Sequence, residues 1–199
     1  MKPILRSTMY ILMILMLLSA NSVIADPGVT KDIATIESKV ELPSVQLIRQ
    51  DGTKAKFPKE LDDGKPVVLT FIYTTCKGVC PIMSHVMKGV QNKLGDRAKE
   101  IHMASISVDP EYDTPDRLTQ YAHQLEAGPQ WLHYTGLNSD IVKFEKAFNV
   151  YRGDKMNHLT VFFVRRSPSE PWLRFIGFVN PDSIIQELGF NTEPTVVNK

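Results

Sequence analysis

The sequence predicts an α/β domain in which helices flank a central mixed sheet, with an extra N-terminal β-hairpin ahead of it. Three observations lead to this fold class. Residues 66–74 and 101–109 read PVVLTFIYT and IHMASISVD, and runs rich in β-branched and apolar residues are typical of strands buried on both faces. A segment of helical character follows each of these runs. A hairpin and a short helix then close the chain, which completes the alternation of a layered α/β domain.

The first 25 residues have the features of a secretory signal peptide. Basic residues precede an apolar run from Met9 to Leu18, and Val23 and Ala25 are small residues suitably placed before a cleavage point. A retained anchor is the alternative, although the run is shorter than the roughly 20 residues that a spanning helix needs. We therefore expect a periplasmic protein in an oxidising compartment. Residues 26–42 are expected to form a loosely held extension, 43–190 the folded domain and 191–199 a tail.

The charge balance excludes one class of partner. Lys and Arg number 23 against 22 for Asp and Glu, which gives a formal net charge of +1. A nearly neutral chain offers no electrostatic case for binding nucleic acid or an anionic membrane surface.

The first half of the domain is punctuated by turn and cap signals. Residues 44–48 and 53–57 flank a turn signal at residues 50–52, which predicts the N-terminal hairpin. After the buried strand, apolar residues recur at helical spacing from Val79 to Leu94, and Gly95 ends the run. Thr114 and Pro115 supply a helix cap and a first-turn proline.

The second half is predicted in the same way. WLHYTG, residues 131–136, is a short strand, and Ser139 is expected to cap the next helix. Residues 159–166 and 172–179 form the closing hairpin, and a last helix covers about 182–188.

The two cysteines, Cys76 and Cys80, are the only ones in the chain. Cys76 comes where the buried strand ends and Cys80 falls in the first turn of the following helix, where the helix dipole favours a thiolate and should lower its pKa. The pair can therefore bridge to each other or bind one ion. A purely structural disulfide is the plain alternative, but closing so short a loop would contribute only about 2 kcal/mol.

The spacing of the thiols separates redox from metal chemistry. Thioredoxin-type pairs have two intervening residues, whereas three separate Cys76 from Cys80. The loop before the later strand contains His158 and no proline. Two thiolates and an imidazole would suit copper(I) first and zinc second.

Four segments resemble the SCO/SenC family of copper-binding proteins. They are FIYTTCKGVCPIM, ASISVDPEYDTPDRLTQYA, YTGLNSDIVKFEKAFNVY and the histidine before LTVFFV, and the resemblance runs from about Leu42 to Leu188. The resemblance implies a thioredoxin-like fold and one copper ion, Cu(I) or Cu(II), bound through Cys76, Cys80 and His158. It also implies a role in maturing the dinuclear copper centre of cytochrome c oxidase. The expected partner is the copper-site subunit of that oxidase or another copper chaperone.

Two positions depart from the family pattern. Asn157 stands where an aspartate commonly precedes the ligand histidine, and Thr75 stands where a histidine often precedes the first cysteine. Because a carboxylate can orient an imidazole and raise its basicity, Asn157 predicts a more readily released ligand.

Other candidate residues have simpler interpretations. His85 is expected on the surface, and Met83 and Met87 lie at helical spacing, which favours core packing over copper binding. Asp109 and Asp113 are expected to fix a turn before the helix cap. His102, His123 and His133 show no partner pattern, and without the family resemblance His158 would read as an ordinary strand-edge histidine.

Three functions remain open from the sequence. The first is a copper metallochaperone, which is not an enzyme in the usual sense. The second is a thiol-disulfide oxidoreductase that reduces the cysteines of a copper-site partner, with Cys76 attacking and Cys80 resolving. The third is a structural docking module in which Cys76 and Cys80 form a stable disulfide.

Overall fold

The computed structural model describes residues 35–157 and 159–190. Within these residues, eight strands form one sheet: β1 Thr35–Ser38, β2 Val45–Arg49, β3 Lys54–Phe57, β4 Val67–Ile72, β5 His102–Ser107, β6 Trp131–Gly136, β7 Val161–Arg165 and β8 Trp172–Ile176. The described part of the chain also contains four α-helices: α1 Val79–Leu94, α2 Pro115–Gln124, α3 Asn138–Ala147 and α4 Pro181–Glu187.

The strand order is β1-β8-β7-β4-β5-β6-β2-β3. The central strands β4, β5 and β6 run parallel, and the other pairs are antiparallel. The sheet is therefore mixed, as predicted, and the expected N-terminal hairpin is the pair β2 and β3. The hairpin joins the sheet through pairing of β2 with β6.

Strand β4 is buried along its whole length because both faces of the sheet are covered. On one face Leu69 and Phe71 pack with α3 residues such as Phe144. On the other face Val68 packs with α1 and α4. The carboxyl end of β4 is thus held rigidly, and Cys76 follows it by four residues.

The predicted helix boundaries are confirmed at two places and wrong at one. The Thr114 side chain accepts a hydrogen bond from the Arg117 amide at the start of α2, and Gly95 ends α1 at a φ of +54°, which favours glycine. Ser139, however, does not cap α3. Because β6 runs to Gly136, the chain turns at Leu137 and the helix begins at Asn138.

The sheet begins earlier than the sequence predicts. Strand β1 lies within residues 26–42, the expected loose extension, yet it pairs antiparallel with β8 from Thr35 to Ser38. Val40 and Leu42 also pack against the core. From Thr35 onward the structure therefore differs from the expectation, because an edge strand can be held by one neighbour without an alternating pattern of its own.

The signal segment, residues 1–25, and the tail, 191–199, lie outside the described residues. Within the described part of the chain, no helix has both the length and the apolar character needed to cross a membrane.

Candidate functional site

An open cavity of about 500 Å³ lies beside the cysteine loop. Residues 75–79 of that loop line it, together with Tyr73, Lys155 and Met156. The cavity thus joins two parts of the chain that are far apart in sequence. One is the turn between β4 and α1, and the other is a 3-10 turn, Lys155–Asn157.

Cys76 is the accessible thiol of the pair, and no disulfide joins it to Cys80 in this structure. Partial burial opposes ionisation of Cys76, but hydrogen bonds outweigh it and lower its pKa below the ordinary value. These bonds come from the backbone amide and thiol of Cys80, the backbone of Gly78 and the hydroxyl of Tyr73. The pKa of Cys76 is thus lowered by hydrogen bonds, whereas the sequence predicted the lowering at the helix start, where Cys80 lies.

Cys80 behaves in the opposite way. It is 0% exposed and packs with Ile72, Tyr73 and Leu118. Burial raises its pKa well above the ordinary value, and the nearby charges of Cys76 and Asp113 act in the same direction. The expectation that the helix N-terminus would lower this pKa is wrong, because desolvation of a fully buried thiol outweighs the dipole.

The hydrogen bond between the two cysteines shows that both sulfurs serve one site. Cys76 is the thiol that lines the cavity, and Cys80 is the buried thiol of the pair. This arrangement can be oxidised to a disulfide, or it can present two sulfurs to one soft metal ion.

Asp113 fixes the loop that carries Cys76. Its carboxyl group is fully buried and accepts hydrogen bonds from the Thr74 amide, at 3.1 Å, and from the Thr74 hydroxyl, at 2.5 Å. It also accepts a bond of 2.6 Å from the Ser107 hydroxyl at the end of β5. Asp113 thus connects the cysteine loop to the neighbouring parallel strand, which agrees with the turn-fixing role expected of it.

The 3-10 turn is held against the cavity by two contacts. Lys155 Nζ lies 2.5 Å from Asp109 Oδ2, and the Tyr73 hydroxyl donates a hydrogen bond of 3.4 Å to Met156 Sδ. The antiparallel pairing of β7 with β4 brings this part of the chain beside the residues that follow β4. His158 comes next in the sequence and lies outside the described residues.

The remaining candidates are placed as follows. Met83 and Met87 are fully buried in the core, in agreement with their expected packing role. His85 is exposed, with Nδ1 3.3 Å from the Pro81 carbonyl oxygen, and it does not line the cavity. Thr75 lines the cavity and Asn157 is exposed at the end of the 3-10 turn.

The surroundings of the other three histidines are not those of metal ligands. His102 Nε2 lies 2.9 Å from Asp63 Oδ1, His123 is exposed on α2, and His133 is fully buried and stacked on Trp131. Among the described residues, no group of three His, Cys, Asp or Glu side chains converges to hold a metal ion. Cys76 and Cys80 are thus the two predicted ligands that the structure describes, and the third, His158, lies outside the described residues.

Two cavity residues were missed by the sequence reasoning, Tyr73 and Met156. Tyr73 bonds to Cys76 and to Met156, and burial together with the neighbouring thiol raises its pKa to about 12. The sequence features that could have identified them are a Tyr three residues before the first cysteine and a Met two residues before the predicted histidine ligand.

Comparison with known proteins gives a consistent result. The sequence profile described as SCO1/SenC matches residues 35–188. The SCO1 protein homolog of Bacillus subtilis (strain 168) is 33% identical over 97 residues, which are 48% of this chain and 49% of that protein. The chain thus matches about half the length of this curated relative.

Solved structures extend the comparison to most of the chain. Bradyrhizobium japonicum ScoI with copper bound is 26% identical, with a TM-score of 0.62 over 72% of this chain and 94% of the other. BsSco, a member of the Sco family of cytochrome c oxidase assembly proteins in which a disulfide switch was identified, is 26% identical. Its TM-score is 0.66 over 77% of this chain and 94% of the other. These likenesses confirm the predicted thioredoxin-like fold.

Proposed function

Because this chain belongs to the SCO1/SenC family, we propose that it is a copper metallochaperone that assists assembly of the dinuclear copper centre of a cytochrome c oxidase. It would bind one copper ion through Cys76, Cys80 and His158. Its partner would be the copper-site subunit of the oxidase or another copper chaperone. The related protein with copper bound and the related oxidase assembly protein support this assignment.

One structural observation supports the proposed ligand set more than any other. The turn just before His158 contributes Lys155 and Met156 to the same cavity as Cys76. A histidine at position 158 thus continues a segment that already borders the thiols. Two sulfurs linked by a hydrogen bond suit a soft ion such as copper(I) and are poor ligands for hard cations.

The proposed transfer proceeds by ligand exchange. Copper(I) binds as two thiolates form, so each protonated sulfur gives up its proton to solvent. This matters most at Cys80, whose pKa is raised by burial, so copper affinity should fall as the pH falls. An incoming thiolate or imidazole of the partner then displaces one ligand, and copper moves without being released. Asn157 offers no carboxylate to the neighbouring imidazole, which favours release of that ligand.

Titration of the reduced protein with copper(I) against a chromophoric chelator tests this proposal. We expect one copper per chain, and a loss of affinity of more than about 100-fold in Cys76→Ala and Cys80→Ala, beyond what outer-shell partners usually contribute. His158→Ala should weaken binding in the same direction, and the exposed His85→Ala is the matched control that should not. Wild-type affinity in all three ligand variants would exclude the proposal.

A second function is favoured by the unequal thiols. An accessible Cys76 with a lowered pKa and a buried Cys80 are the attacking and resolving thiols of a thiol-disulfide oxidoreductase. Cys76 would attack the disulfide of an oxidised copper-site partner and form a mixed disulfide. Cys80 would then close the Cys76–Cys80 disulfide and release the partner as a dithiol, so that one pair is oxidised and the other reduced.

The effect of His158 separates the two functions. If reduction is the function, reduced protein should reduce an oxidised copper-site peptide at similar rates in wild type and His158→Ala, and Cys76→Ala should be inactive. Lack of reduction by the wild-type protein would remove this alternative for that substrate.

Export to the periplasm, with a cleaved signal or a retained anchor, stays part of the proposal and rests on residues 1–25.

A further inference from the structure

Met156 stands out among the methionines of the described chain. Met83, Met87 and Met103 are at most 1% exposed and fill the core, whereas Met156 is 70% exposed at the edge of the cavity. A large apolar side chain so exposed contributes little to packing. Its thioether sulfur, however, is a soft donor of the type that copper(I) accepts.

The Met156 sulfur has a defined neighbour. The Tyr73 hydroxyl donates to Met156 Sδ at 3.4 Å and also forms a hydrogen bond with the Cys76 sulfur. One hydroxyl therefore connects the thioether to the thiol. Because a single O–H proton is donated mainly to one acceptor at a time, the thioether keeps a lone pair available when the hydroxyl turns to Cys76.

The backbone that carries Met156 is also anchored. The preceding residue, Lys155, pairs with Asp109 at 2.5 Å, and its ammonium lies 5.8 Å from the centre of the Tyr73 ring. The Met156 amide donates a hydrogen bond of 2.9 Å to Asp154 Oδ1. The thioether is thus presented on a fixed turn that lines the same cavity as Cys76.

We propose that Met156 supplies a thioether ligand, shared with Cys76, for a soft monovalent metal ion at the mouth of the cavity. This inference rests on the proposed copper function and adds a donor to it. A neutral thioether binds without losing a proton, so its contribution does not require ionisation. It also discriminates, because thioethers suit copper(I) and silver(I) and are poor ligands for zinc.

Silver(I) is a redox-inert probe for this donor. The reduced full chain, labelled with carbon-13 in its methionine methyl groups, is titrated with one equivalent of silver(I) and observed by NMR. Among the four methionines of the described residues, we expect only the Met156 methyl signal to shift. This signal should be absent from Met156→Leu, which keeps the side-chain volume without the sulfur. The signals of the core methionines should stay in place and serve as internal controls.

A swap variant tests whether position matters. Leu137 is as exposed as Met156, at 70%, and does not line the cavity. In Met156→Leu combined with Leu137→Met, the number of thioethers is restored, but the new signal should not move with one equivalent of silver(I). Copper(I) affinity should fall about tenfold in both variants, comparable to the loss of an outer-shell partner, while zinc affinity should not change.

The outcomes distinguish this inference from the function on which it rests. If wild type binds silver(I) and copper(I) at its cysteines while the Met156 methyl signal stays in place and Met156→Leu has wild-type copper affinity, the inference is wrong and the metallochaperone function stands. If wild type binds neither ion, both are wrong. A swap variant whose new methyl signal shifts as Met156 does would show nonspecific thioether binding and would overturn the inference.

Discussion

Asp113→Ala is expected to lower the free energy of unfolding by about 3 kcal/mol, because a buried carboxylate that accepts several hydrogen bonds would be removed. The Thr74 amide and hydroxyl and the buried Ser107 hydroxyl would lose their acceptor. Thr74 lies two residues before Cys76, so the cysteine loop should also loosen. Urea unfolding measures the loss of stability, and amide exchange of residues 74–78 measures the loosening of the cysteine loop.

The control for Asp113 is three residues away. Asp116 lies exposed in the first turn of α2, where an acid contributes through the helix dipole alone. Asp116→Ala should therefore cost at most about 1 kcal/mol. If Asp113→Ala is no more destabilising than Asp116→Ala, Asp113 does not hold the loop and the account of the site's rigidity is wrong.

His133 is expected to make the fold less stable as the pH falls. Burial lowers its pKa to about 3, against an ordinary value of 6.5, and the backbone of Trp131 opposes this shift in part. Between these values the unfolded chain holds a proton that the folded chain lacks. The contribution of His133 to the free energy of unfolding is therefore fully present above pH 6.5 and is lost as the pH falls towards 3. The loss between pH 7 and pH 4 should be about 3 kcal/mol.

Glu145 acts with the opposite sign and must be separated from His133. Burial raises its pKa to about 7 from 4.5, so the folded chain holds its proton where the unfolded chain does not, and this effect favours folding as the pH falls from 7 to 4.5. The wild-type curve will therefore be flatter than His133 alone would give. The difference between wild type and a His133 variant isolates the histidine.

Urea unfolding at pH 7, 6, 5 and 4 provides that comparison. His133→Phe keeps a ring against Trp131 and removes the titration, so its stability should rise relative to wild type by about 3 kcal/mol from pH 7 to pH 4. His133→Leu should show the same relative change if the larger ring disturbs packing. If the curves of stability against pH for the His133 variants run parallel to the wild-type curve, the buried imidazole does not titrate as described.

The fold was largely predictable because its signals are local. The apolar run of β4 and the Thr114 cap of α2 each depend on neighbouring residues, and both predictions are confirmed. Strand β1 was not predicted, because Thr35–Ser38 becomes a strand through its pairing with β8, more than 130 residues later. Ser139 was assigned a cap because its side chain suits one, whereas the end of β6 sets where α3 begins.

Contacts in the site were predictable between residues that are close in the sequence, but not between residues that are far apart in it. Cys76 and Cys80 share a turn, so their proximity followed from the spacing alone. The raised pKa of Cys80 depends on burial under Leu118 of α2 and was missed. Met156 contacts Tyr73 across 83 positions of sequence, and no local pattern announces such a contact.

X-ray absorption at the copper edge of the copper(I)-loaded protein shows whether the thiols and one distant imidazole hold the same ion. We expect fewer sulfur ligands in each of Cys76→Ala and Cys80→Ala than in wild type. We also expect an imidazole signature that is present in wild type and His85→Ala but absent from His158→Ala. A wild-type spectrum with sulfur ligands and no imidazole, or an imidazole signature that persists in His158→Ala, would show that His158 is not the third ligand.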